Sequence, residues 1–336
     1  MSRLRVGFDV SPLALTRAGT ARHIEGLLEA LGHEPAVELK RYSFGGPGRA
    51  TVPLRDVGWY LGALPRRAAR DQLDVLHCPT HRAPTRSRVP LVVTFHDLAV
   101  LRHPGAFNRW TQTYSRLVLP RVARAAARII AVSEFTKREL VELLDVPPEK
   151  IRVVPNAVAA PFTASGEQAP GNYVLTVSTL EPRKNLPRLI DAFERAGLDG
   201  CELVVAGARG WGDVELNGRR VRWVGRVSDE ELARLYRGAR CFAYPSVYEG
   251  FGLPVLEAMA CGTSVVAGQT AAVSEVADGA AVLVDALDPD ALAAGLREAI
   301  ERREELVTRG HERAAAFDWE RTAQLTVEVY REAAGA

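Results

Sequence analysis

The segment with the clearest chemical potential covers residues 241–268 and reads CFAYPSVYEGFGLPVLEAMACGTSVVAG. Its first residues predict a buried strand that ends near Pro245, and Pro254 predicts the first position of a helix, where proline fits best. Gly250 and Gly252 lie in the intervening loop and allow a ligand to approach the backbone closely. The amide groups at the start of this helix therefore favour an anion such as a diphosphate.

Two glutamates flank these amide groups. Glu249 lies in the loop, and Glu257 lies about one turn inside the helix, with its side chain tilted back toward the helix start. Because carboxylates repel phosphate, their natural partners are hydroxyl groups on either side of it, a ribose on one side and a second sugar on the other. The alternative is a capped helix with two exposed glutamates. The glycines and the proline between the glutamates favour the ligand site.

A pair of basic residues follows another predicted strand. The segment YVLTVSTLEPRKNLPRLIDAF, residues 173–193, predicts a strand that ends near Thr179 and a helix that follows EPRKN. Arg183 and Lys184 would then lie at the end of that strand, beside the same cleft. Cations at this position can neutralise the charge of a departing diphosphate.

The first half of the chain offers further candidates. His96 and Asp97 directly follow the apolar run LVVTF, so they are expected at the carboxyl end of a strand, where polar side chains point into a cleft. A structural His–Asp pair is the alternative interpretation. Gly19 lies in a loop that leads into a helix, where backbone amides could face the same diphosphate.

Short β-branched runs alternate with longer helical segments along the chain, which predicts α/β domains with parallel sheets. Two such series are separated by APFTASGEQAPGN, residues 160–172, which has the composition of a linker. We therefore expect residues 1–160 and 171–315 to form two doubly wound domains that face each other, with the ligand at the carboxyl ends of the strands. Residues 316–336 predict a last amphipathic helix.

Charge is distributed unevenly. The net charge is +2 overall, but residues 1–160 carry +10 and residues 161–336 carry −8. A basic half predicts contact with something anionic, although an arginine-rich composition would give the same imbalance. The helical pattern over residues 108–130 contains five arginines and could lie on an anionic membrane that presents an acceptor. A solvated helix packed on its own sheet is the alternative, and we expect no nucleic-acid partner.

Several other classes of protein are disfavoured. No apolar run reaches the ~20 residues of a membrane span, and residues 1–10 lack the pattern of a secretory signal. The four cysteines are widely spaced, which predicts reduced thiols and a cytoplasmic location. His77 and His81 have a spacing that suits zinc only in a helix, which the proline between them opposes. Asp288 and Asp290 predict a helix cap, so we expect no metal and no cofactor.

With these residues identified, the chain resembles family 4 of the retaining glycosyltransferases, which have the GT-B fold of two Rossmann-like domains. The resemblance covers nearly the whole chain and is closest to bacterial members that resemble mannosyltransferases of O-antigen and exopolysaccharide assembly. It is carried by the strings HDLAVLRHP, AVSEFTKREL, VPNAV, VSTLEPRKN, GARGWG, VSDEELARLYRGA and YEGFGLPVLEAMACGTSVV. It also implies that the last helix crosses back to pack on the first domain.

The resemblance implies a role for each candidate residue. Glu249 would contact the donor sugar and Glu257 the ribose, while Lys184 would hold the diphosphate. His96 would lie at the donor sugar, and Gly19 would belong to the N-terminal loop beside the donor. The backbone that reaches the sugar and the diphosphate would be that of Gly250, Phe251, Gly252 and Leu253. The nucleotide base would lie along the turn that includes Gly225, Val227 and Ser228.

One position departs from the family pattern. Many members carry an arginine six residues before the lysine, where this chain has Ser178. Contact with the diphosphate would then depend more on Arg183.

The implied activity is transfer of a hexose from a nucleotide diphosphate sugar to a glycan or lipid-linked acceptor, with retention at the anomeric carbon. GDP-mannose is the favoured donor, and no metal is needed if Lys184 and Arg183 neutralise the leaving group. The same architecture is compatible with a nucleotide-sugar epimerase or a phosphorylase. A dinucleotide oxidoreductase is disfavoured, because GARGWG at residues 207–212 is not the GxGxxG fingerprint.

Overall fold

The chain folds into two compact units. The computed structural model describes residues 3–14, 19–45, 54–210 and 214–335. The first unit comprises Met1–Ala157 together with Asp318–Ala336, and the second unit comprises Val158–Phe317. Both ends of the chain therefore belong to the same unit.

The first unit is built on one parallel sheet. Its strands are β1 (Leu4–Asp9), β2 (Val37–Tyr42), β3 (Val75–Cys78), β4 (Leu91–Phe95), β5 (Arg128–Ala131) and β6 (Ile151–Val153). They lie in the order β2-β1-β3-β4-β5-β6. The helices between them are α1 (Gly19–Gly32), a π-helix (Leu54–Ala63), α2 (Leu64–Arg70), α3 (Ala99–Arg102), α4 (Arg109–Ala125) and α5 (Glu134–Leu144), with short 3-10 helices at Ser11–Ala14, Pro104–Ala106 and Pro148–Lys150.

The position of strand β4 in the sheet explains why its sequence is an unbroken apolar run. All five of its residues are buried. Val93 and Phe95 belong to the apolar core on one face of the sheet, and Val92 belongs to the core on the other face. A strand covered by helices on both faces needs apolar residues at every position rather than at alternate ones. The strand ends at Phe95, and the next residue in the chain is His96.

The second unit has a separate parallel sheet with its own helices. Its strands are β7 (Tyr173–Val177), β8 (Glu202–Ala206), β9 (Val221–Gly225), β10 (Cys241–Tyr244), β11 (Val265–Gly268) and β12 (Val282–Val284), in the order β12-β11-β10-β7-β8-β9. A 3-10 helix covers Pro182–Lys184, and the α-helices are α6 (Leu186–Ala196), α7 (Asp229–Gly238), α8 (Leu253–Ala260), α9 (Ala271–Ala277), α10 (Pro289–Glu301) and α11 (Arg303–Ala315). The strands that follow β7 are added first on one side of it, as β8 and β9, and then on the other side, as β10, β11 and β12. The carboxyl ends of the adjacent, parallel strands β7 and β10 therefore form the crevice that such sheets use for ligands.

The last helix, α12 (Trp319–Ala334), packs on the first unit. It contacts α1 and the strands β3, β4 and β5. A glycine opens the space for its first turn, because a Cβ atom at Gly26 would lie 2.3 Å from the ring of Trp319. Near its other end, the hydroxyl group of Tyr330 lies 2.7 Å from Nδ1 of the buried His77.

The segment predicted as a linker belongs to the second unit, and the unit boundaries lie at 157/158 and 317/318 rather than at 160 and 315. Arg237 on α7 donates hydrogen bonds to the carbonyl groups of Pro161, Thr163 and Glu167. The segment is held to the unit by these carbonyl groups and by the buried Phe162, whose ring packs edge-on against Tyr236 at 6.1 Å.

The helix predicted over residues 108–130 is shorter than expected. Helix α4 ends at Ala125, and Arg128 begins β5. The Nε atom of Arg128 donates to Glu332 on α12 at 2.9 Å. The run ARII therefore pairs in the sheet, and Arg128 is not part of an arginine-bearing helix face.

Candidate active site

Lys184 and Glu249 form a close ion pair at the carboxyl ends of neighbouring strands in the second unit. Lys184 ends the 3-10 helix that follows β7, and Glu249 lies in the loop that follows β10. The Nζ atom of Lys184 is 2.6 Å from Oε1 of Glu249, and the side chains are only 12% and 10% exposed. Their shared edge of the sheet follows from the strand-end rule, since β7 and β10 are adjacent.

Arg183 supports this pair but is held mainly by other groups. Its guanidinium group binds Oε1 of Glu181 at 2.6 Å and donates to the carbonyl oxygen of Tyr248 at 3.0 Å. It lies 3.8 Å from Oε2 of Glu249. Arg183 therefore fastens the loop that carries Glu249, whereas Lys184 contacts the carboxylate directly.

The charge state of Glu249 follows from these neighbours. Burial raises its pKa, but the positive charges of Lys184 and Arg183 outweigh burial, so the pKa lies below its usual range. Glu249 is accordingly ionised at neutral pH. An ionised carboxylate accepts hydrogen bonds only, which suits a partner that offers hydroxyl groups.

Tyr244, the last residue of β10, completes the surroundings of Lys184. Its ring centroid is 5.4 Å from Nζ of Lys184, and its hydroxyl oxygen is 3.4 Å from the same atom. Burial, followed by the charge of Glu249, raises the pKa of Tyr244 well above its usual value, so the hydroxyl group stays protonated. The sequence interpretation missed Tyr244, although its place at a strand end was the available signal.

Glu257 is buried inside the unit rather than exposed on a helix surface. The residue is 1% exposed, and Oε2 accepts a hydrogen bond from the hydroxyl group of Tyr236 at 3.1 Å. Glu249 is also buried. The alternative of two exposed glutamates is therefore wrong. Burying two carboxylates beside a helix start costs free energy that solvent-exposed caps avoid. No sequence signal pointed to Tyr236, which comes from the separate helix α7.

The loop between the two glutamates presents backbone rather than side chains. Gly252 precedes α8 with a φ of +107°, a conformation that residues with side chains rarely adopt. Phe251 and Leu253 are buried, and the ring of Phe251 packs edge-on to Phe317 at 5.9 Å. The side chains of this loop serve its packing, so a ligand would be met by its amides. Pro254 occupies the second rather than the first position of the helix.

The turn predicted to line a nucleotide base joins β9 to α7. Gly225 has a φ of +70°, and its carbonyl oxygen accepts from the amide group of Gly207 at 2.7 Å. The hydroxyl oxygen of Ser228 caps α7 by accepting from the amide group of Glu231 at 3.2 Å. Val227 between them is half-buried. In this structure Ser228 serves the helix, which leaves contact with a base as a prediction.

Ser178 adds an unusual feature to the same strand end. Its hydroxyl group is buried and has no hydrogen-bond partner in the described parts of the chain. Buried polar groups are normally hydrogen-bonded, so an unpaired one beside a candidate site indicates a place for a ligand or a water molecule. Ser178 lies six residues before Lys184, at the position where many members of the family that the sequence resembles carry arginine.

His96 follows β4 in the first unit, as predicted. Its Nε2 atom lies 2.9 Å from the carbonyl oxygen of Pro79. Because a carbonyl can only accept, the proton is on Nε2 and Nδ1 keeps its lone pair. Burial lowers the pKa of His96, so the ring is neutral at pH 7. Asp97 instead accepts from the amide group of Ala99 at 3.0 Å, which makes it a local cap.

Gly19 is the first residue of α1, but the residues before it lie outside the described part of the chain. Its predicted contact with a diphosphate, like that of His96 with a sugar, concerns the other unit and stays a prediction. Asp288 caps α10 by accepting from the amide groups of Asp290 and Ala291, as predicted. All four cysteines are buried and unpaired. Within the residues that the structure describes, no group of three His, Cys, Asp or Glu side chains could hold a metal ion.

Comparison with known proteins shows which family the chain belongs to. The glycosyltransferase family 4 model matches residues 6–160, and the model of glycosyl transferases group 1 matches residues 162–316. The chain is 33% identical over 296 residues to O-antigen chain mannosyltransferase B of Escherichia coli, which covers 80% of this chain and 77% of that protein. The chain belongs to glycosyltransferase family 4.

Other relatives of this family 4 chain have lower sequence identity but also align with most of its length. The D-inositol 3-phosphate glycosyltransferase of Geodermatophilus obscurus is 29% identical over 350 residues, which covers 89% of this chain and 76% of that protein. Among solved structures, sucrose-phosphate synthase from Thermosynechococcus elongatus has a TM-score of 0.79 at 19% identity, and 98% of each chain is covered. WaaG, a glycosyltransferase of lipopolysaccharide biosynthesis, has a TM-score of 0.73 at 14% identity, with 96% and 99% covered. The predicted family and GT-B fold are confirmed.

Proposed function

We propose that this glycosyltransferase transfers mannose from GDP-mannose to a glycan or lipid-linked acceptor, with retention of the anomeric configuration and without a divalent metal. The observation that carries the proposal is the buried Lys184–Glu249 pair beside a loop that offers its backbone. The named mannosyltransferase of Escherichia coli, at 33% identity, supports mannose as the sugar.

The pair supplies the two kinds of contact that such a donor needs. Lys184 would move its charge toward the diphosphate, helped by the helix amides after Gly252, and the charge that develops on the leaving group would be stabilised there. Glu249, released in part from Lys184, would accept hydrogen bonds from sugar hydroxyl groups. Lys184 and Glu249 are both buried, so these electrostatic interactions would be stronger than in water.

The reaction proceeds at a single carbon. The acceptor hydroxyl oxygen forms a bond to the anomeric carbon on the face from which the diphosphate departs, and the bond between that carbon and the phosphate oxygen breaks. The leaving phosphate oxygen takes the proton of the acceptor. This step requires no enzymic nucleophile, and it gives retention because attack and departure share one face.

Glu257 would bind the ribose through its carboxylate. The hydrogen bond of 3.1 Å from Tyr236 and the burial of the side chain restrict the rotation of this carboxylate. Such a fixed acceptor suits the paired hydroxyl groups of a ribose.

The donor and the stereochemistry can be tested together. In a thermal-shift panel of UDP-, GDP-, ADP- and dTDP-sugars, GDP-mannose should give the largest stabilisation, because a bound ligand stabilises the folded state. Proton NMR of the product should show the α-configuration of the donor, with the rate unchanged by EDTA. Inversion, loss of activity in EDTA, or turnover with inorganic phosphate in place of a glycan would contradict the proposal. The last result would indicate a phosphorylase.

A cytoplasmic location at the inner face of the plasma membrane is a second proposal. Helix α4 and the π-helix bear exposed arginines, namely Arg109, Arg116, Arg121 and Arg124, and exposed apolar residues, namely Leu54, Val57, Leu61 and Leu117. Such a surface suits the anionic headgroups of a membrane that presents a lipid-linked acceptor. No helix in the described ranges is long and apolar enough to cross a bilayer. Flotation with phosphatidylglycerol vesicles tests the proposal, and a protein that stays at the bottom of the gradient at low salt would refute it.

A further inference from the structure

The first unit contains a cluster of charged groups around a buried carboxylate. Asp56, on the π-helix, is fully buried. Its Oδ1 atom accepts from the guanidinium group of Arg55 at 3.2 Å and from that of Arg82. Placing these charges in the interior carries a desolvation cost that their attraction often fails to offset, so such clusters are poor stabilisers. The cluster therefore calls for a function.

Trp110 on α4 joins this cluster to the protein surface. Its indole Nε1 atom lies 3.4 Å from Oδ2 of Asp56, and its ring stacks on Tyr114 with centroids 6.2 Å apart. The residue is nevertheless 47% exposed. A large aromatic ring is thus anchored through its polar edge and supported on one side while much of it faces solvent.

Two polar groups beside Trp110 have hydrogen-bonding capacity left over. The hydroxyl group of Tyr114 is buried without a hydrogen-bond partner among the residues that the structure describes. Arg82, whose side chain is 24% exposed, lies 5.9 Å from the ring of Tyr114 and gives one nitrogen to Asp56. A guanidinium group has five N–H donors, so Arg82 has others to offer.

We propose that Trp110, Arg82 and Tyr114 form a subsite for a neutral pyranose ring of the acceptor glycan. The flat indole, backed by Tyr114, would stack on the C–H face of the sugar, and Arg82 would bind its hydroxyl groups. The inference rests on the proposed transfer to a glycan, for which it names the acceptor-side residues. Asp56 holds both Arg82 and Trp110 in place, so the subsite offers directed donors.

A sugar fits this surface better than a lipid headgroup. An indole that only rests in a membrane interface needs no buried carboxylate to fix its edge and no unpaired hydroxyl group beneath it. Pyranose rings present an apolar face and hydroxyl groups around the rim, which matches an aromatic plane bordered by donors.

Binding of simple glycosides tests the subsite without any donor. Saturation-transfer NMR with methyl glycosides of mannose, glucose, galactose and rhamnose should show transfer from the wild type to at least one of them. Trp110→Ala should lose the signal, Trp110→Phe should keep it because an aromatic plane remains, and Leu117→Ala on the same helix should match the wild type. Absence of transfer from every glycoside to the wild type would overturn the inference.

Kinetics separate this subsite from the donor site. With GDP-mannose and the glycoside that binds, Trp110→Ala should raise the acceptor KM about tenfold, equal to about 1.4 kcal/mol, while GDP-mannose hydrolysis without acceptor stays unchanged. Equal effects of Trp110→Ala and Leu117→Ala would overturn the inference. So would loss of vesicle flotation in Trp110→Ala with glycoside binding intact, which would assign Trp110 to a membrane. If GDP-mannose does not bind the wild type, the proposed function fails, whereas the glycoside NMR still decides the subsite.

Discussion

Replacement of Lys184 by alanine is expected to reduce the rate of sugar transfer by about 10²–10³-fold, because the proposed donor site would lose the buried cation that pairs with Glu249 and would neutralise the leaving diphosphate. Single-turnover measurements with saturating GDP-mannose would isolate this loss from substrate binding. The matched control is Arg188→Ala, which removes an exposed cation one turn farther along the chain and should change the rate less than threefold. A Lys184→Ala enzyme within threefold of the wild type would show that other groups stabilise the leaving diphosphate.

The same variant should alter how stability depends on pH. In the wild type the pKa of Glu249 lies below its usual range. The stabilisation from its ion pair is therefore fully present above the pKa of an unfolded glutamate and is lost as pH falls through the lower folded pKa. Without Lys184, burial of Glu249 penalises its ionised form. The variant should thus be least stable, relative to the wild type, near neutral pH, and the gap should close toward pH 4 in urea unfolding. A gap independent of pH would contradict this account.

Replacement of Gly207 by alanine should destabilise the second unit by about 3 kcal/mol. A Cβ atom at this position would lie 1.9 Å from the carbonyl oxygen of Ser178, and φ is +145°. Backbone atoms cannot rotate away as a flexible side chain does, so the ends of β7 and β8 must separate. The amide group of Gly207 also holds the carbonyl group of Gly225, so affinity for the donor should fall with stability.

Gly197→Ala is the control for this effect. Gly197 also has a positive φ, +63°, but nothing lies within 4 Å of a Cβ atom there. Its replacement should cost about 1 kcal/mol from backbone strain alone. Thermal and urea unfolding of the two variants would compare them. Equal costs would mean that the close approach of β7 and β8 at Gly207 is not what the glycine provides.

The strand ends explain why much of the candidate site could be predicted. Lys184 and Glu249 are 65 residues apart in the chain, yet both follow apolar runs that could only be buried parallel strands. Strands of one parallel sheet end at the same edge, so the position of both residues beside one cleft follows from local pattern and one topological rule. His96 was located in the same way.

Partners that come from separate helices could not be predicted. Tyr236 binds Glu257 from α7, and Arg183 is held by Glu181 and by the backbone of the next loop. These contacts depend on helix packing at the level of single side chains, which periodicity does not encode. The attachment of the predicted linker to the second unit could not be predicted either, since hydrogen bonds from Arg237 to its carbonyl groups hold it there.

By itself, the sequence determined that this protein has parallel sheets and which of their strands are followed by polar residues. It also determined that Glu249 and Glu257 flank a glycine loop. Both results follow because buried strands and helix starts leave local signatures in the sequence. Only the tertiary structure decided that Glu249 is paired with Lys184 and stays ionised. It alone brought Trp110 and Asp56, 54 residues apart, into contact. Charge state and contact depend on burial and distance, and both arise when distant segments pack together.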